Sequence, residues 1–251
     1  MNSIVSKIQI RRRGQGFTLV EMLVVIAIMS ILMTAGAIGL GGLGGKGVTS
    51  GVATAESLFD EARATAIGKN MRACVLVAKT LTNNPADDLK RIIVAYEETE
   101  TSTTNPNFGQ AKDPTNASPR WELSSRGAVL PDQTFFSNTL SKKNHDDGTG
   151  TIEIISSSKF VAPVKTAFAG DYYIYQFNSQ GICTTPGASF IIGTGARSMS
   201  KPSNTAPPKV TATSKRDFGG FVVWRNGRTS VFRSPDQMGS GISTLTAGKD
   251  F

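Results

Sequence analysis

A single acidic residue in an otherwise apolar stretch near the N terminus constrains this chain most. Residues 17–37 are long enough for one helix, and Glu21 is their only charged residue. A carboxylate inside a bilayer costs roughly 2.5–3.5 kcal/mol on insertion scales, so such a residue is by default a functional candidate. No charged residue occurs between positions 22 and 45, and about 20 apolar residues suffice to span a bilayer. The stretch therefore predicts a membrane-spanning helix with a functional carboxylate near its start.

A basic segment precedes this helix. It contains Lys7, Arg11, Arg12 and Arg13. Because basic flanks stay in the cytoplasm, the rest of the chain is expected to be exported. In an ordinary secretory signal the small-residue cleavage site follows the apolar region, whereas Gly16 precedes it here. The alternative interpretation is an uncleaved single-pass segment in which the acid occurs by chance.

The run Gly-Phe-Thr-Leu-Val-Glu at positions 16–21 resembles, without a gap, the class III leader of type IV prepilins and type II secretion pseudopilins. The resemblance implies that a prepilin peptidase cuts between Gly16 and Phe17, and then methylates the new amino group of Phe17. A glycine fits the cleavage site because its missing side chain allows close backbone approach. The resemblance also implies that Glu21 pairs with the N-terminal ammonium of a neighbouring subunit during filament assembly.

Four segments follow from this resemblance and from the composition. Residues 1–16 are the basic leader, 17–45 the transmembrane and filament-core helix, 46–70 its periplasmic part, and 71–251 a β-rich periplasmic globular domain. Seven of the twelve residues at 36–47 are glycine, and each costs a helix roughly 1 kcal/mol relative to alanine. We therefore expect a weak or broken helix at this joint. A phosphate-binding loop is excluded because Leu40 and Gly47 occupy positions where that motif needs glycine and Ser or Thr.

An amphipathic pattern begins again near residue 52. Apolar residues recur at spacings of three and four, and together they predict one buried helix face: Val52, Ala55, Phe59, Ala62 and Ala66. Glu56, Asp60 and Arg63 lie off that face. Gly68, Lys69 and Asn70 predict the end of the helix.

The remainder of the chain has the pattern of short strands. Apolar and aromatic runs predict strands at 73–78, 91–96, 171–177 and 188–192, and a hairpin formed by 221–225 and 228–232 around Asn226-Gly227. Residues 98–119 and 193–217 are predicted to be loops. One helix followed only by short strands predicts an α+β fold, in which a long N-terminal helix with a membrane-spanning first half packs against a C-terminal antiparallel sheet.

Three short stretches resemble the GspH/FimT group of minor pseudopilins. They are residues 61–67 (Glu-Ala-Arg-Ala-Thr-Ala-Ile), residues 177–181 (Phe-Asn-Ser-Gln-Gly) and the pair Gly227-Arg228. The loops at 98–119 and 193–217 are longer than a compact member of that group would have.

The chain has two cysteines, Cys74 and Cys183. An exported domain lies in an oxidising compartment, so a disulfide between them is a candidate. The alternative is two small buried hydrophobic residues in strands, and the sequence leaves both interpretations open. Two cysteines and the single His145 argue against a structural zinc site, and no metal or cofactor is predicted.

Net charge gives little support for a nucleic-acid partner. The chain has 27 basic and 19 acidic residues and a formal charge of +8. Four of the basic residues and none of the acidic ones lie in the leader, so removing the leader lowers the charge to +4. The basic isoelectric point therefore describes in part a segment that is removed.

Several polar clusters are weak candidates for other chemistry. His145 lies in a hydrophilic turn and has no evident nucleophile partner. Asn144, Asp146 and Asp147 could bind calcium through oxygen atoms, but they lack EF-hand spacing. Asp87 and Asp88 are interpreted as a hairpin tip. Arg216, Arg225, Arg228 and Arg233 form either a basic patch or an ordinary solvated strand face, and Trp121 and Trp224 are predicted to lie in the core.

The pattern as a whole predicts a structural subunit rather than an enzyme. Its first interpretation is a minor pseudopilin of a type II secretion pseudopilus, and its alternative is a minor type IV pilin for pilus priming, adhesion or DNA uptake. Implied partners are other pilins or pseudopilins, the prepilin peptidase, the inner-membrane assembly platform and the membrane itself. The implied location is the bacterial inner membrane, with a periplasmic C-terminal domain. A membrane-tethered enzyme or receptor is the remaining interpretation.

Overall fold

The computed structural model describes residues 19–29, 43–124, 126–209, 217–232 and 237. The chain divides into two compact units, Met1–Leu43 and Gly44–Phe251. In the first unit, residues 19–29 form helix α1. The longer helix α2 spans Leu43–Lys69 and leads into the second unit.

Helix α2 buries the face that its sequence pattern predicts. All five residues of the predicted stripe are buried, and Val48 and Leu58 extend it. The helix begins at Leu43, so residues 43–47 of the glycine-rich joint are helical and the expected break does not occur there. Residues 36–42 lie outside the described residues. Tertiary packing outweighs the low helix propensity of glycine here, because a Cβ on Gly47 would lie 3.3 Å from the Cγ2 atom of Thr134, and one on Gly51 would lie 2.7 Å from the Cδ1 atom of Ile192.

The C-terminal end of α2 confirms the predicted stop signal. Asn70 adopts the left-handed conformation with φ 52°. Its amide donates to the carbonyl of Ile67 at 3.2 Å, and the amide of Met71 donates to the carbonyl of Ala66 at 3.1 Å. This pair of bonds closes the last helical turn in a Schellman arrangement.

Ten strands follow α2 in the described part of the chain. They are β1 (Ala73–Leu81), β2 (Arg91–Glu97), β3 (Trp121–Leu123), β4 (Ala128–Val129), β5 (Thr134–Phe136), β6 (Ile154–Ser156), β7 (Gly170–Phe177), β8 (Ala188–Thr194), β9 (Phe218–Val223) and β10 (Thr229–Val231). Short 3₁₀ turns occur at Pro85–Asp87, Ser157–Lys159 and Thr166–Phe168.

The strands form two antiparallel sheets. The first has the order β3-β2-β1-β7-β6, with β4 also paired to β2, and the second has the order β10-β9-β8-β5. The fold class α+β is therefore confirmed, although the sequence led us to expect one sheet. The four long strands and the hairpin were predicted, whereas the two- and three-residue strands β3 to β6 were missed because such short elements carry no periodicity.

The main core lies where α2 meets both sheets. The Phe59 ring of α2 lies 5.1 Å from that of Tyr175 in β7, 5.6 Å from that of Phe190 in β8 and 5.0 Å from that of Phe221 in β9. All three pairs meet edge to face, the geometry that aromatic quadrupoles favour. One helix side chain therefore joins the two sheets.

A second core covers the opposite face of the first sheet. Alternate residues of β1 enter different clusters, with Val75 in the main core and Cys74 and Leu76 in the second. Burial on both faces explains why 73–78 is a continuous apolar run. A bridge between Trp121 in β3 and Phe160, just after β6, links the two edges of this sheet around the second core.

The β9–β10 hairpin is confirmed, but its connection differs from the expected two-residue turn. Strand β9 ends at Val223, and the connection runs from Trp224 to Arg228. The Trp224 amide donates to the Arg228 carbonyl at 2.9 Å, and the Gly227 amide donates to the Trp224 carbonyl at 2.8 Å. Gly227 alone in this connection has a positive φ, of 74°, so it supplies the left-handed residue of a longer, bulged loop.

Candidate functional site

Helix α1 presents an exposed apolar surface. Residues 19–29 are all exposed, and Glu21 is the only charged residue among them. Apolar patches larger than a few hundred Å² are rare on soluble monomers and mark contacts with protein or membrane. The helix that carries Glu21 therefore has the surface of an interaction segment.

The three residues predicted for processing and assembly are not all within the described structure. Gly16 and Phe17 lie outside the described residues, whereas Glu21 lies in the first turn of α1. Among the helices of the described residues, none combines the length and the apolar character that a membrane crossing requires.

The three stretches that resemble GspH/FimT pseudopilins come together at the C-terminal half of α2. A Cβ on Gly181 would lie 3.2 Å from the Cγ of Arg63, and a Cβ on Gly227 would lie 2.7 Å from the Cδ of Arg63 and 2.3 Å from the carbonyl oxygen of Gly181. Both glycines have positive φ, 72° and 74°. The junction therefore needs glycine twice, for conformation and for close approach.

Loops gather at the end of the globular unit where α2 stops. The Cys183 amide donates to the Arg225 carbonyl at 3.2 Å, and the His145 amide donates to the Gly187 carbonyl at 2.9 Å. These bonds join the loop after β7, the β9–β10 connection and the loop around His145. Binding groups are often found on loops held by a rigid scaffold.

The two tryptophans have different environments. Trp121 is 2% exposed and lies in the second core, as predicted, whereas Trp224 is 45% exposed, so its predicted core position is wrong. The reason is that β9 ends at Val223, the residue before Trp224, which places Trp224 in the connection rather than in the strand. Arg225 and Arg228 are exposed in the same connection. Arg216 and Arg233 of the proposed basic patch lie outside the described residues.

His145 contacts a backbone carbonyl and an aromatic ring rather than a nucleophile. Its Nε2 lies 2.7 Å from the carbonyl oxygen of Gln237, and its ring lies 4.8 Å from that of Phe232. In the same loop, the side-chain Nδ2 of Asn144 donates to the carboxylate of Asp147. No group of three or more His, Cys, Asp or Glu side chains suited to a metal occurs among the described residues.

Asp88 lies between β1 and β2, where a hairpin tip was predicted, but its burial was not foreseen. Asp88 is fully buried, and its carboxylate accepts from the amide of Leu81 at 2.7 Å and from that of Ser203 at 2.8 Å. Burial raises the pKa of Asp88 above its usual value, and these hydrogen bonds oppose the shift. Arg197 also donates to the carbonyls of Pro85 and Ala86. These hydrogen bonds hold the loop after β8 against the β1–β2 turn, so the role of Asp88 is structural.

Asp87 does lie at the turn between β1 and β2, as predicted, and it pairs with Arg91. Lys90, the residue before β2 begins, is also buried, and its ammonium donates to the carboxylate of Asp132 at 3.0 Å. The burial of Asp88 and Lys90 has no simple sequence signature, because these two charges are compensated by Ser203 and Asp132, which lie 115 and 42 residues away.

Both cysteines are free thiols in the structure. Cys74 lies in the second core and Cys183 in the main core, so the first sheet separates their environments. Burial raises the pKa of both thiols. The candidate disulfide is therefore not formed, and the two residues behave as the small buried hydrophobic residues of the alternative interpretation.

Comparison with known proteins identifies only the N-terminal region. Residues 11–37 match the family model of the prokaryotic N-terminal methylation motif. No curated protein and no solved structure matches the chain. The matched family is a structural pilin-type motif and not an enzyme family. The motif implies processing by a prepilin peptidase and assembly into filaments with other pilins. The match at residues 11–37 thus supports a relationship of this N-terminal part to type IV prepilins and pseudopilins.

Proposed function

We propose that the protein is a structural filament subunit that is cleaved between Gly16 and Phe17 and methylated on the amino group of Phe17. The observation that carries the proposal is helix α1, whose exposed apolar surface contains one carboxylate, within a matched methylation motif. In the membrane this surface contacts lipid, and in a filament it contacts the same helix of neighbouring subunits.

Glu21 supplies the selectivity of assembly. A carboxylate in an apolar environment is unfavourable alone and is tolerated when it is paired. Cleavage creates an N-terminal ammonium, and a neighbouring subunit in the filament brings that cation to Glu21. A subunit dispersed in lipid has no such neighbour, so the ion pair favours the assembled state.

Within the family, a minor pseudopilin of a type II secretion pseudopilus is our first assignment, of the GspH/FimT kind. Its support is the convergence of the three resembling stretches at Arg63, Gly181 and Gly227. A minor type IV pilin for priming, adhesion or DNA uptake is the second, and the loops gathered beyond the end of α2 favour it. Both place the subunit in the inner membrane, with a periplasmic globular domain and contacts to the assembly platform.

Substitution of Glu21 tests the proposal. Glu21→Gln removes the charge and retains nearly the same volume, so cleavage should proceed while incorporation into sheared filaments falls about tenfold or more, as expected for a lost charge-assisted contact. Glu61→Gln is the matched control, because Glu61 is an exposed carboxylate on α2. Mass spectrometry of the N-terminal peptide should show a start at Phe17 with one added methyl group in both variants.

Two results would contradict the proposal. The first is an unprocessed N terminus in cells with an active prepilin peptidase. The second is recovery of Glu21→Gln in filaments at the level of Glu61→Gln. To separate the two filament types, incorporation is measured in strains lacking either the secretion ATPase or the pilus ATPase. If the pseudopilus assignment is right, incorporation is lost only in the strain that lacks the secretion ATPase.

A further inference from the structure

A concave cleft lies among the loops beyond the C-terminal end of α2. Its volume is about 540 Å³, and three segments form its walls: residues 143–150, residues 184–187 and the tip of the β9–β10 hairpin at Trp224 and Arg225. Nothing in the proposed filament function requires this cleft, because α1 and Glu21 belong to the other unit.

The walls of the cleft are hydrogen-bonded to one another. Asn144 and Thr149 exchange two backbone bonds of 3.0 and 3.1 Å, which close the first wall into a small hairpin. That wall is joined to the second by the bond from the His145 amide to Gly187, and the Gly187 amide donates to the carbonyl of Val223 at 2.8 Å, at the base of the third. The cleft is therefore preformed, and a ligand would not have to order these loops on binding.

The lining combines one aromatic side chain with several polar groups, of which three charged side chains are unpaired. Of the described residues that line it, Trp224 and Pro186 have apolar side chains, and the others are hydroxyl, amide and charged groups or glycine. Among the described residues, the side chains of Lys143, Asp146 and Arg225 have no hydrogen bond or ion pair. The cleft thus presents donors and an acceptor of hydrogen bonds beside an exposed indole ring.

We propose that this cleft binds a short oligosaccharide, with Trp224 as the platform for one sugar ring. A pyranose has an apolar C–H face and a rim of hydroxyl groups that both donate and accept. The indole of Trp224 can stack on the apolar C–H face of the sugar. The carboxylate of Asp146 and the cations of Lys143 and Arg225 can hydrogen-bond to its hydroxyl groups.

Other ligand classes fit this cleft less well. Binding sites for apolar small molecules are lined mainly by hydrophobic side chains, which this cleft lacks. Stable protein contacts bury about 800 Å² on each partner around an apolar centre, whereas the apolar part here is one indole and one proline ring. A single-stranded nucleic acid needs a continuous cationic groove, whereas the charged lining residues here are two cations and one carboxylate.

The two tryptophans provide a direct assay. Trp121 is 2% exposed and Trp224 45% exposed, so acrylamide quenches Trp224 selectively. The full chain is held in a detergent without a sugar headgroup and titrated with maltotriose, cellotriose, triacetylchitotriose and trigalacturonic acid. We expect at least one of these sugars to protect Trp224 from quenching while the Trp121 signal stays constant. Preference for trigalacturonic acid would identify the ligand as acidic, and preference for the others as neutral.

Calorimetric titration of variants with the sugar that binds tests the residue assignments. Asp146→Asn and Arg225→Ala should each weaken binding about tenfold, as expected for a hydrogen bond to a charged group, and Trp224→Ala should abolish it. Asp60→Asn is the control, because Asp60 is an exposed carboxylate on α2, away from the cleft. All four positions are exposed, so unchanged unfolding midpoints will verify folding.

The proposal is overturned if none of the four sugars protects Trp224 at millimolar concentration, or if Trp224→Ala and Asp146→Asn bind the sugar as the parent chain does. The proposal would also be overturned if the parent chain binds no sugar and filaments that contain Trp224→Ala lose partner subunits. That result would assign the cleft to a protein contact. These results are separable from those of Glu21→Gln, which concern cleavage and filament incorporation.

Discussion

Replacing Phe59 by alanine tests the packing of α2 against both sheets. The Phe59 side chain is fully buried and makes edge-to-face contacts with four rings, those of Tyr175, Phe177, Phe190 and Phe221. Phe→Ala substitutions in cores cost about 3–5 kcal/mol, and aromatic pairs contribute about 0.5–1.5 kcal/mol beyond the area that they bury. Because four pairs are lost together, we expect a loss of about 4 kcal/mol in the free energy of unfolding.

Urea unfolding of the full chain in non-ionic detergent, followed by circular dichroism, measures this loss. With an m-value of about 2 kcal/mol per molar urea, the midpoint should fall by about 2 M. Ile67→Ala on the same helix is the control, because Ile67 is 50% exposed and should lose only about 1 kcal/mol.

A loss below about 1 kcal/mol for Phe59→Ala would refute the reasoning, because removal of a buried side chain that joins two sheets to a helix should cost several times that free energy. An equal loss for Phe59→Ala and Ile67→Ala would refute it as well, since the predicted difference follows from burial alone. A midpoint shift with an unchanged m-value would show that stability, and not the extent of unfolding, has changed.

Two further predictions concern the glycine junction and the cysteines. Gly227→Ala should lower the unfolding free energy by about 2–3 kcal/mol, because its Cβ would lie 2.3 Å from the Gly181 carbonyl oxygen at a φ of 74°. Gly148→Ala, with a similar φ of 63° but no atom within 4 Å of its Cβ, should cost only about 1 kcal/mol, and equal unfolding midpoints would contradict the steric account. Cys74 and Cys183 should be unreactive toward a thiol reagent in the folded chain, and both should react in denatured chain to which no reductant has been added. Detection of fewer than two thiols in the denatured chain would contradict their free state.

Much of this protein could be predicted from the order of its residues. The spacing of Val52 to Ala66 predicted which face of α2 is buried, because a helix places residues three and four apart on one side whatever surrounds it. Asn70 marked the end of that helix, and Asn226-Gly227 marked a hairpin. The contiguous residues around Glu21 indicated the N-terminal methylation motif that the family model matches at residues 11–37.

Contacts between distant residues decided the rest. The division into two sheets, the bridge from Trp121 to Phe160 and the burial of Asp88 depend on strands that meet only in the folded chain. The sequence could not show that Cys74 and Cys183 enter different cores, because a one-residue difference in register moves a side chain to the other face of a sheet.

The sequence by itself therefore determined the elements with local periodicity, the stop and turn positions, and the N-terminal motif, because each depends on neighbours within a few residues. Only the tertiary structure decided that the glycines at 43–47 are helical, that Trp224 is exposed, and that three loops form an open cleft. The helical joint and the cleft depend on packing between segments more than 30 residues apart in sequence, such as Gly47 with Thr134 and His145 with Gly187, and such packing leaves no periodic pattern in the sequence.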